Sequence, residues 1–179
     1  MASFGIWSPP PMRIYKHLNP GAVDAHPTDS TRARIASPAD LHDWLDFLRS
    51  RSRLSDELTV TFIVDTDGFL WVADRHSEHA ACAQGRDVLS AGELTFAMTR
   101  GAAVVSSATN QSLGYCPEAE SWPAVAAALT RAGVEHPEGF TAELTFRLCS
   151  SCGAKNVVKD DWFECGVCET ALSRTWNFM

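Results

Sequence analysis

The chain has 179 residues and a formal net charge of −7. This length suits one medium domain with a small appended module. The acidic balance disfavours a nucleic-acid partner, because phosphate contacts require clustered lysine and arginine. No stretch reaches the roughly 20 apolar residues of a membrane-spanning helix, and the first residues lack a secretory signal. We therefore expect a cytoplasmic protein that makes no membrane contact.

The first 36 residues are rich in proline and small polar residues and carry only scattered anchors such as Trp7 and Tyr15. This composition predicts an irregular N-terminal arm over residues 1–36. The periodic part of the chain begins directly after it and continues to residue 146, which defines the predicted main domain, 37–146.

Two amphipathic helices are predicted in this domain. Ser37, Pro38 and Asp40 form a helix start, with a capping hydroxyl, a proline in the first turn and an acidic side chain beside it. The apolar face that follows has helical spacing and extends to about residue 51: Leu41, Trp44, Leu45 and Leu48. A second helix opens at residues 121–124 and should end at Gly133.

The remaining periodic segments are predicted strands. Residues 58–64 form a β-branched run, residues 65–68 a hairpin turn, and residues 69–73 the returning strand. Further short strands are predicted at 88–89, 93–96, 103–105 and 141–146. Because the connections are short, we expect an antiparallel meander. The predicted fold class is α+β, with a four-cysteine zinc ribbon at the C-terminus.

That ribbon rests on the spacing C-x2-C-x12-C-x2-C, formed by Cys149, Cys152, Cys165 and Cys168. Each C-x2-C pair can form a tight knuckle, and two knuckles at this separation can close a tetrahedral sulfur site. Soft thiolate ligands and a short spacer favour a structural Zn²⁺. We predict a ribbon over residues 147–179, in which the metal attaches the tail to the sheet and the packing anchors are Trp162, Phe163, Trp176 and Phe178.

A closed site of four sulfurs offers no position for substrate, so the ribbon does not by itself indicate a reaction. Nor does it indicate nucleic-acid binding, since residues 147–179 contain four cationic and four anionic side chains. The two other cysteines, Cys82 and Cys116, are expected to be free, partly buried thiols in a reducing compartment.

Dense polar side chains follow two predicted strands, at residues 75–82 and 109–117, and these segments are the candidate functional loops. Candidate acid, base and nucleophile groups are His76, Glu78, Glu93, Tyr115 and Cys116. Candidate ligand-binding side chains are His79, Asn110, Gln111 and Ser112. The alternative is that the polar groups only bond neighbouring backbone, that Glu93 points outward from a strand, and that Cys116 is an inert core thiol.

Several short motifs resemble a known module. They are Asp67-Gly-Phe-Leu-Trp-Val, His76-Ser77, Ala91-Gly92-Glu93-Leu94 and Asn110-x-Ser112-x-Gly114-Tyr115-x-Pro117. Together they resemble, over about residues 60–135, a β-rich module of plant IQ-motif calmodulin-binding proteins and of some bacterial polymorphic-toxin proteins. The resemblance implies a shared sheet and a bacterial toxin or immunity context. The module has Gly-His-Tyr where this chain has Leu113-Gly114-Tyr115, so chemistry that requires that histidine is not implied.

The sequence leads to three hypotheses. The first is a zinc-stabilised binding module that recognises a protein or small-molecule ligand through loops 75–82 and 109–117. The second is a hydrolase or transferase, which requires His76 or His79 within hydrogen-bonding distance of Glu93, Tyr115 or Cys116 in a concave pocket. The third, nucleic-acid binding by the ribbon, is disfavoured by its neutral charge.

Overall fold

The computed structural model describes residues 12–19, 31–51 and 57–179. Within these ranges the chain has an antiparallel five-stranded sheet, three helices and a two-stranded hairpin next to four clustered cysteines, which confirms the predicted α+β class. Trp7, an expected anchor of the N-terminal arm, lies outside the described residues. None of the helices in the described ranges has the length and apolar character needed to span a bilayer.

The large sheet consists of five strands in the spatial order β1-β3-β2-β4-β5, with every neighbouring pair antiparallel. The strands are β1 (Ala33–Ile35), β2 (Glu57–Asp65), β3 (Leu70–Asp74), β4 (Val88–Thr99) and β5 (Ala102–Thr109). The segments predicted at 88–89 and 93–96 are one continuous strand, β4. Strand β1 lies in the range expected to be irregular, and three residues are too few for an alternating pattern to reveal.

The β2–β3 hairpin is held by Asp65, whose side chain occupies the predicted turn. One carboxylate oxygen accepts the backbone N–H groups of Asp67 and Phe69 at 3.0 and 2.9 Å, and the other accepts the indole N–H of Trp71 at 2.7 Å. Gly68 has φ 79°, a conformation that favours glycine. The carboxylate thus satisfies three donors that would otherwise face the turn.

The described ranges contain three α-helices: α1 (Pro38–Arg51), α2 (His79–Ala83) and α3 (Trp122–Arg131). The start of α1 is closed by two reciprocal hydrogen bonds, from Asp40 N to Ser37 Oγ at 3.2 Å and from Ala36 N to the Asp40 carboxylate at 2.9 Å. The Ala36 N–H and then the Ser37 hydroxyl lower the pKa of Asp40. Helix α3 ends where Gly133 adopts φ 68°.

The sheet has two different faces. Helices α1 and α3 cover one, which we call the helix face, and its buried side chains include Leu45, Phe62, Leu94, Val125 and Leu129. Short α2, the segment 12–19 and part of loop 109–117 cover the other, which we call the loop face. Its buried side chains are Tyr15, Ile63, Ala73, Cys82, Ala83, Val88, Ala91 and Tyr115. Adjacent residues of one strand, such as Phe62 and Ile63, therefore belong to different cores.

Candidate metal centre and loop groove

The C-terminal ribbon begins with the hairpin of β6 (Thr145–Leu148) and β7 (Lys155–Val158). The first cysteine pair lies in the turn between these strands and the second pair lies at residues 165–168. The two knuckles have the same backbone hydrogen bonds: Cys149 N to Ala154 O and Cys165 N to Thr170 O, at 2.8 and 2.9 Å. The residue after each pair has positive φ, 72° at Gly153 and 59° at Glu169. Two similar tight turns therefore present their sulfurs to each other.

The four cysteine sulfur atoms all lie within 4.8 Å of one another. Cys149 Sγ is 3.5 Å from Cys168 Sγ, and Cys152 Sγ is 3.6 Å from Cys165 Sγ. These separations exceed the roughly 2.05 Å of a disulfide. They approach the roughly 3.8 Å between ligand sulfurs that a tetrahedral Zn–S distance of about 2.3 Å requires. The four side chains therefore form a closed set that could hold one metal ion.

Hydrogen bonds around two of the four sulfurs, those of Cys165 and Cys168, favour the thiolate form, whereas the pKa of Cys152 is raised. Backbone N–H groups of Cys168 and then Val167 lower the pKa of Cys165, and the Asn156 amide lies 3.6 Å from the same sulfur. A hydrogen bond with Thr170 is the largest cause that lowers the pKa of Cys168, to about 6. Metal binding requires deprotonated cysteine, so these contacts suit a metal-ligand role.

Arg147 joins the ribbon to the main domain from a buried position, with 5% of its surface exposed. Its guanidinium donates to the carbonyl oxygens of Ser173 and Arg174 at 3.1 and 2.9 Å, and to the Glu118 carboxylate at 3.1 Å. Arg13 donates to the other oxygen of that carboxylate at 2.8 Å. Glu118 follows loop 109–117, so this network connects the chain end, the ribbon hairpin and that loop.

The tail after the second knuckle packs back onto the main domain. Trp176 donates its indole N–H to Cys116 O at 2.9 Å, and Phe178 is buried against Phe146. The Asn177 side-chain amide makes two hydrogen bonds with the backbone of Leu148: it accepts from the N–H at 2.9 Å and donates to the carbonyl at 2.7 Å. Trp162, which we expected to be a packing anchor, is instead 67% exposed.

Loop 75–82 folds over the loop face and contains a helix that the sequence did not predict. The Thr61 hydroxyl donates to Ser77 O at 3.1 Å, and from His79 the chain continues as α2. The His79 imidazole lies 3.0 Å from the backbone carbonyl of Gly92 through Nε2. Burial lowers the pKa of His79 and outweighs the opposing charges of Glu93 and Glu78.

Loop 109–117 is held internally. Asn110 is fully buried: its amide donates to Pro117 O and Leu144 O, both at 2.8 Å, and accepts from Leu144 N at 2.7 Å. The amide that we considered a ligand-binding group is therefore occupied by the protein. Ser112 is buried and its hydroxyl has no hydrogen-bond partner among the described residues, whereas Gln111 is exposed.

The candidate nucleophiles are inaccessible. Tyr115 is fully buried, donates its hydroxyl to Arg86 O at 2.7 Å, and has a pKa raised by burial. Cys116 is also fully buried, and burial raises the pKa of its thiol to about 12, so it stays protonated at neutral pH. His76 is exposed, and Glu93 is half-buried within β4. Among the described residues, no hydrogen bond joins the side chain of either histidine, His76 or His79, to Glu93, Tyr115 or Cys116.

The two polar loops nevertheless share one open groove of about 410 Å³, which we call the loop groove. Its lining comes from four parts of the chain: His17, Asn19, Glu78, Ala80, Leu113, Gly114 and Lys155. Lys155 belongs to β7 of the ribbon and donates from Nζ to Leu113 O at 3.0 Å. The backbone N–H of Leu18 donates to Gly114 O at 2.9 Å, which holds the segment 12–19 against the loop.

Of the side chains that line the groove, only Glu78 was singled out from the sequence. His17 and Asn19 lie in the range expected to be an irregular arm, where no periodic pattern indicates which residues return to the sheet. Lys155 follows the first cysteine pair by three residues, so its place on the ribbon was predictable. Its contact with a loop 42 residues away was not.

Comparison with known proteins identifies no relative. No protein-family model matches the chain, and neither curated proteins nor solved structures give a significant match. The function must therefore be inferred from the geometry of the metal centre and the loop groove.

Proposed function

We propose that this protein is a zinc-stabilised binding module whose ligand occupies the loop groove. The observation that carries this proposal is that both polar loops, which are separated in the chain by β4 and β5, line a single groove together with a side chain of the ribbon. Tyr115 and Cys116 are buried and have raised pKa values, and among the described residues neither His76 nor His79 is hydrogen-bonded to Glu93, Tyr115 or Cys116. This geometry gives the hydrolase or transferase hypothesis no support.

Zinc is the metal that best suits the ribbon. Four sulfurs in two tight knuckles match the tetrahedral preference and soft-ligand affinity of Zn²⁺, and a closed set leaves no position for water or substrate. The ion would be held by Cys149, Cys152, Cys165 and Cys168, and its contribution would be to folding.

The lining of the groove indicates the ligand class. Glu78 and Lys155 offer charges of opposite sign, the imidazole of His17 and the amide of Asn19 offer hydrogen bonds, and Leu113 is an apolar side chain that is 59% exposed. This combination suits a small polar molecule that carries a cationic group, an anionic or carbonyl group and some apolar surface. A toxin or immunity context, implied by the sequence resemblance, forms part of the proposal.

The proposal can be tested by ligand-observed NMR, using zinc-loaded protein against amino acids, nucleosides and amino sugars. Amide shifts caused by a binder should map to the residues lining the groove. Glu78→Gln should weaken that binder at least tenfold, because a charged hydrogen bond contributes about 1.5–3 kcal/mol. The matched control Glu138→Gln removes the same charge at an exposed position outside the groove and should leave binding unchanged. Equal effects of the two variants, or shifts that map elsewhere, would reject the groove as the binding site.

A further inference from the structure

We infer that metal binding at the four cysteines controls the conformation of the loop groove, so that the groove is complete only in the metal-loaded protein. This inference concerns regulation of the site proposed above and rests on that proposal for its use.

The knuckle region of the ribbon, residues 149–172, has very little apolar core apart from its metal-binding sulfurs. Its buried cluster consists of Cys149, Cys165 and Leu172, with three half-buried apolar side chains packed against it. Large apolar side chains of the ribbon face solvent: Val157, Trp162 and Val167 are 38%, 67% and 73% exposed. A segment with so small a core cannot offset its conformational entropy without the metal. Removal of the ion should therefore unfold the knuckles.

Three contacts transmit the state of the ribbon to loop 109–117 and the residue that follows it. Lys155 Nζ donates to Leu113 O at 3.0 Å, the Trp176 indole donates to Cys116 O at 2.9 Å, and Arg147 binds the Glu118 carboxylate at 3.1 Å. All three donors belong to the ribbon or to the tail after it. Two of these positions follow the knuckles directly, since Lys155 starts β7 after the first knuckle and Trp176 lies in the tail after the second. Arg147 lies on β6, before the first knuckle, and connects to the tail through its bonds to Ser173 O and Arg174 O.

Other contacts of the loop do not depend on the ribbon knuckles. Tyr115 is buried on the loop face and bonded to Arg86 O, and Leu18 N bonds Gly114 O. Loss of the metal should therefore release the tip of the loop, residues 111–114, and the side of the groove that Lys155 forms. The rest of the loop should stay attached to the sheet. The helix face makes none of these three contacts, so it should keep its structure.

Linkage makes the effect reciprocal. A ligand that binds the complete groove must raise the affinity of the cysteine site for metal by the same factor by which metal raises the affinity of the groove for that ligand. Couplings of this kind are commonly between about 5-fold and 150-fold. The groove would thus respond to the zinc supply or to any agent that removes metal from the thiolates.

The test is hydrogen exchange measured by mass spectrometry on the full chain, with Zn²⁺ bound and after its removal by a chelator. Peptides covering 111–118 and the ribbon should exchange at least tenfold faster without metal, whereas peptides from α1 and the β2–β3 hairpin should be unchanged. An increase confined to residues 149–172 would overturn the inference, and so would a uniform increase that includes α1.

Lys155→Met gives a second test that does not require unfolding of the ribbon. This variant should retain one zinc ion but exchange faster than wild type at 111–114, because the bond to Leu113 O is lost. Unchanged exchange there would show that this contact does not hold the loop. Lys159→Met, at an exposed position of the same ribbon, is the matched control and should behave as wild type. Both measurements use Zn²⁺ alone, without a ligand in the groove. Their outcome is therefore independent of whether the groove binds a ligand, which the NMR experiment tests separately.

Discussion

The helix face and the loop face of the sheet are stabilised in different ways. On the helix face, α1 and α3 bury a continuous set of aliphatic and aromatic side chains against β2 to β5. On the loop face, irregular segments are attached by single anchors and by hydrogen bonds over long sequence distances, such as Trp176 to Cys116, 60 residues apart. One face is therefore held mainly by apolar burial, whereas the other is also held by the C-terminal tail, whose order we infer to depend on the four cysteines.

The largest expected effect separates the two faces through the metal site. Cys165→Ser removes a buried ligand, so the protein should lose its zinc and the ribbon should unfold, because metal binding contributes roughly 10 kcal/mol to domains of this type. Tryptophan fluorescence should report exposure of Trp176, while far-UV circular dichroism should retain the signal of α1 and α3. Cys82→Ser, which changes a cysteine outside the metal site, should keep full zinc content. Retained zinc in the Cys165 variant would contradict the account.

A substitution on the helix face should act without involving the metal. Leu129 is fully buried on α3, and Leu129→Ala should lower the free energy of unfolding by about 3 kcal/mol through lost burial and a residual cavity. Urea denaturation of the zinc-loaded variant measures this loss, and zinc content should not change. If the variant released zinc at urea concentrations that leave wild type loaded, the stability of the helix face and metal binding would not be independent.

A third substitution addresses the strand pairing on which both faces depend. A Cβ added at Gly92 would lie 1.9 Å from the Thr109 carbonyl oxygen, a backbone atom that cannot move without shifting β5. Gly92→Ala should therefore destabilise the protein by about 2 kcal/mol and disturb loop 109–117 where it leaves β5. Thermal unfolding gives the first effect, and amide shifts of residues 109–117 give the second. Gly139→Ala, where a Cβ would contact nothing within 4 Å, is the control and should change neither.

The smallest expected effect is a pH dependence specific to the loop face. Burial lowers the pKa of His79 below its ordinary value of about 6.5. As pH falls below 6.5, the unfolded chain binds a proton that the folded chain does not, so stability is unaffected above pH 7 and decreases below it. The slope attributable to His79 is at most about 1.4 kcal/mol per pH unit.

That slope can be assigned by substitution. His79→Gln should flatten the decrease in stability between pH 7 and pH 5, whereas His76→Gln, at an exposed histidine, should leave it as in wild type. Chemical denaturation at several pH values provides the measurement. A slope that is the same in all three proteins would mean that burial of His79 does not control the acid response.

The sequence predicted those parts of the fold that follow from local periodicity. The start of α1 at Ser37, the Asp65 turn and the end of α3 at Gly133 all follow from short patterns whose physics is local. The cysteine spacing likewise predicted the cluster of four sulfurs. It also favoured zinc as the metal, although iron accepts four thiolates as well, and this identity stays a prediction.

The loop face could not be predicted, because its contacts join residues far apart in the chain. Nothing in the local sequence indicates that the Asn110 side chain accepts a hydrogen bond from the backbone of Leu144, 34 residues away. Nor does it indicate that the backbone of Tyr15 pairs with that of Val88. Tyr115 and Cys116 looked reactive from their residue types, yet burial makes both poor nucleophiles. The groove between the loops became apparent only once these long-range contacts were known.

The most direct test of the central claim is the metal content and coordination of the protein purified from cells. The account predicts one zinc ion per chain, and X-ray absorption should show four sulfur ligands at about 2.3 Å. Chelation should release that ion and disorder the ribbon and the loop tip at residues 111–114. A metal-free protein with cysteines paired as disulfides, or a metal with nitrogen or oxygen ligands, would contradict the account.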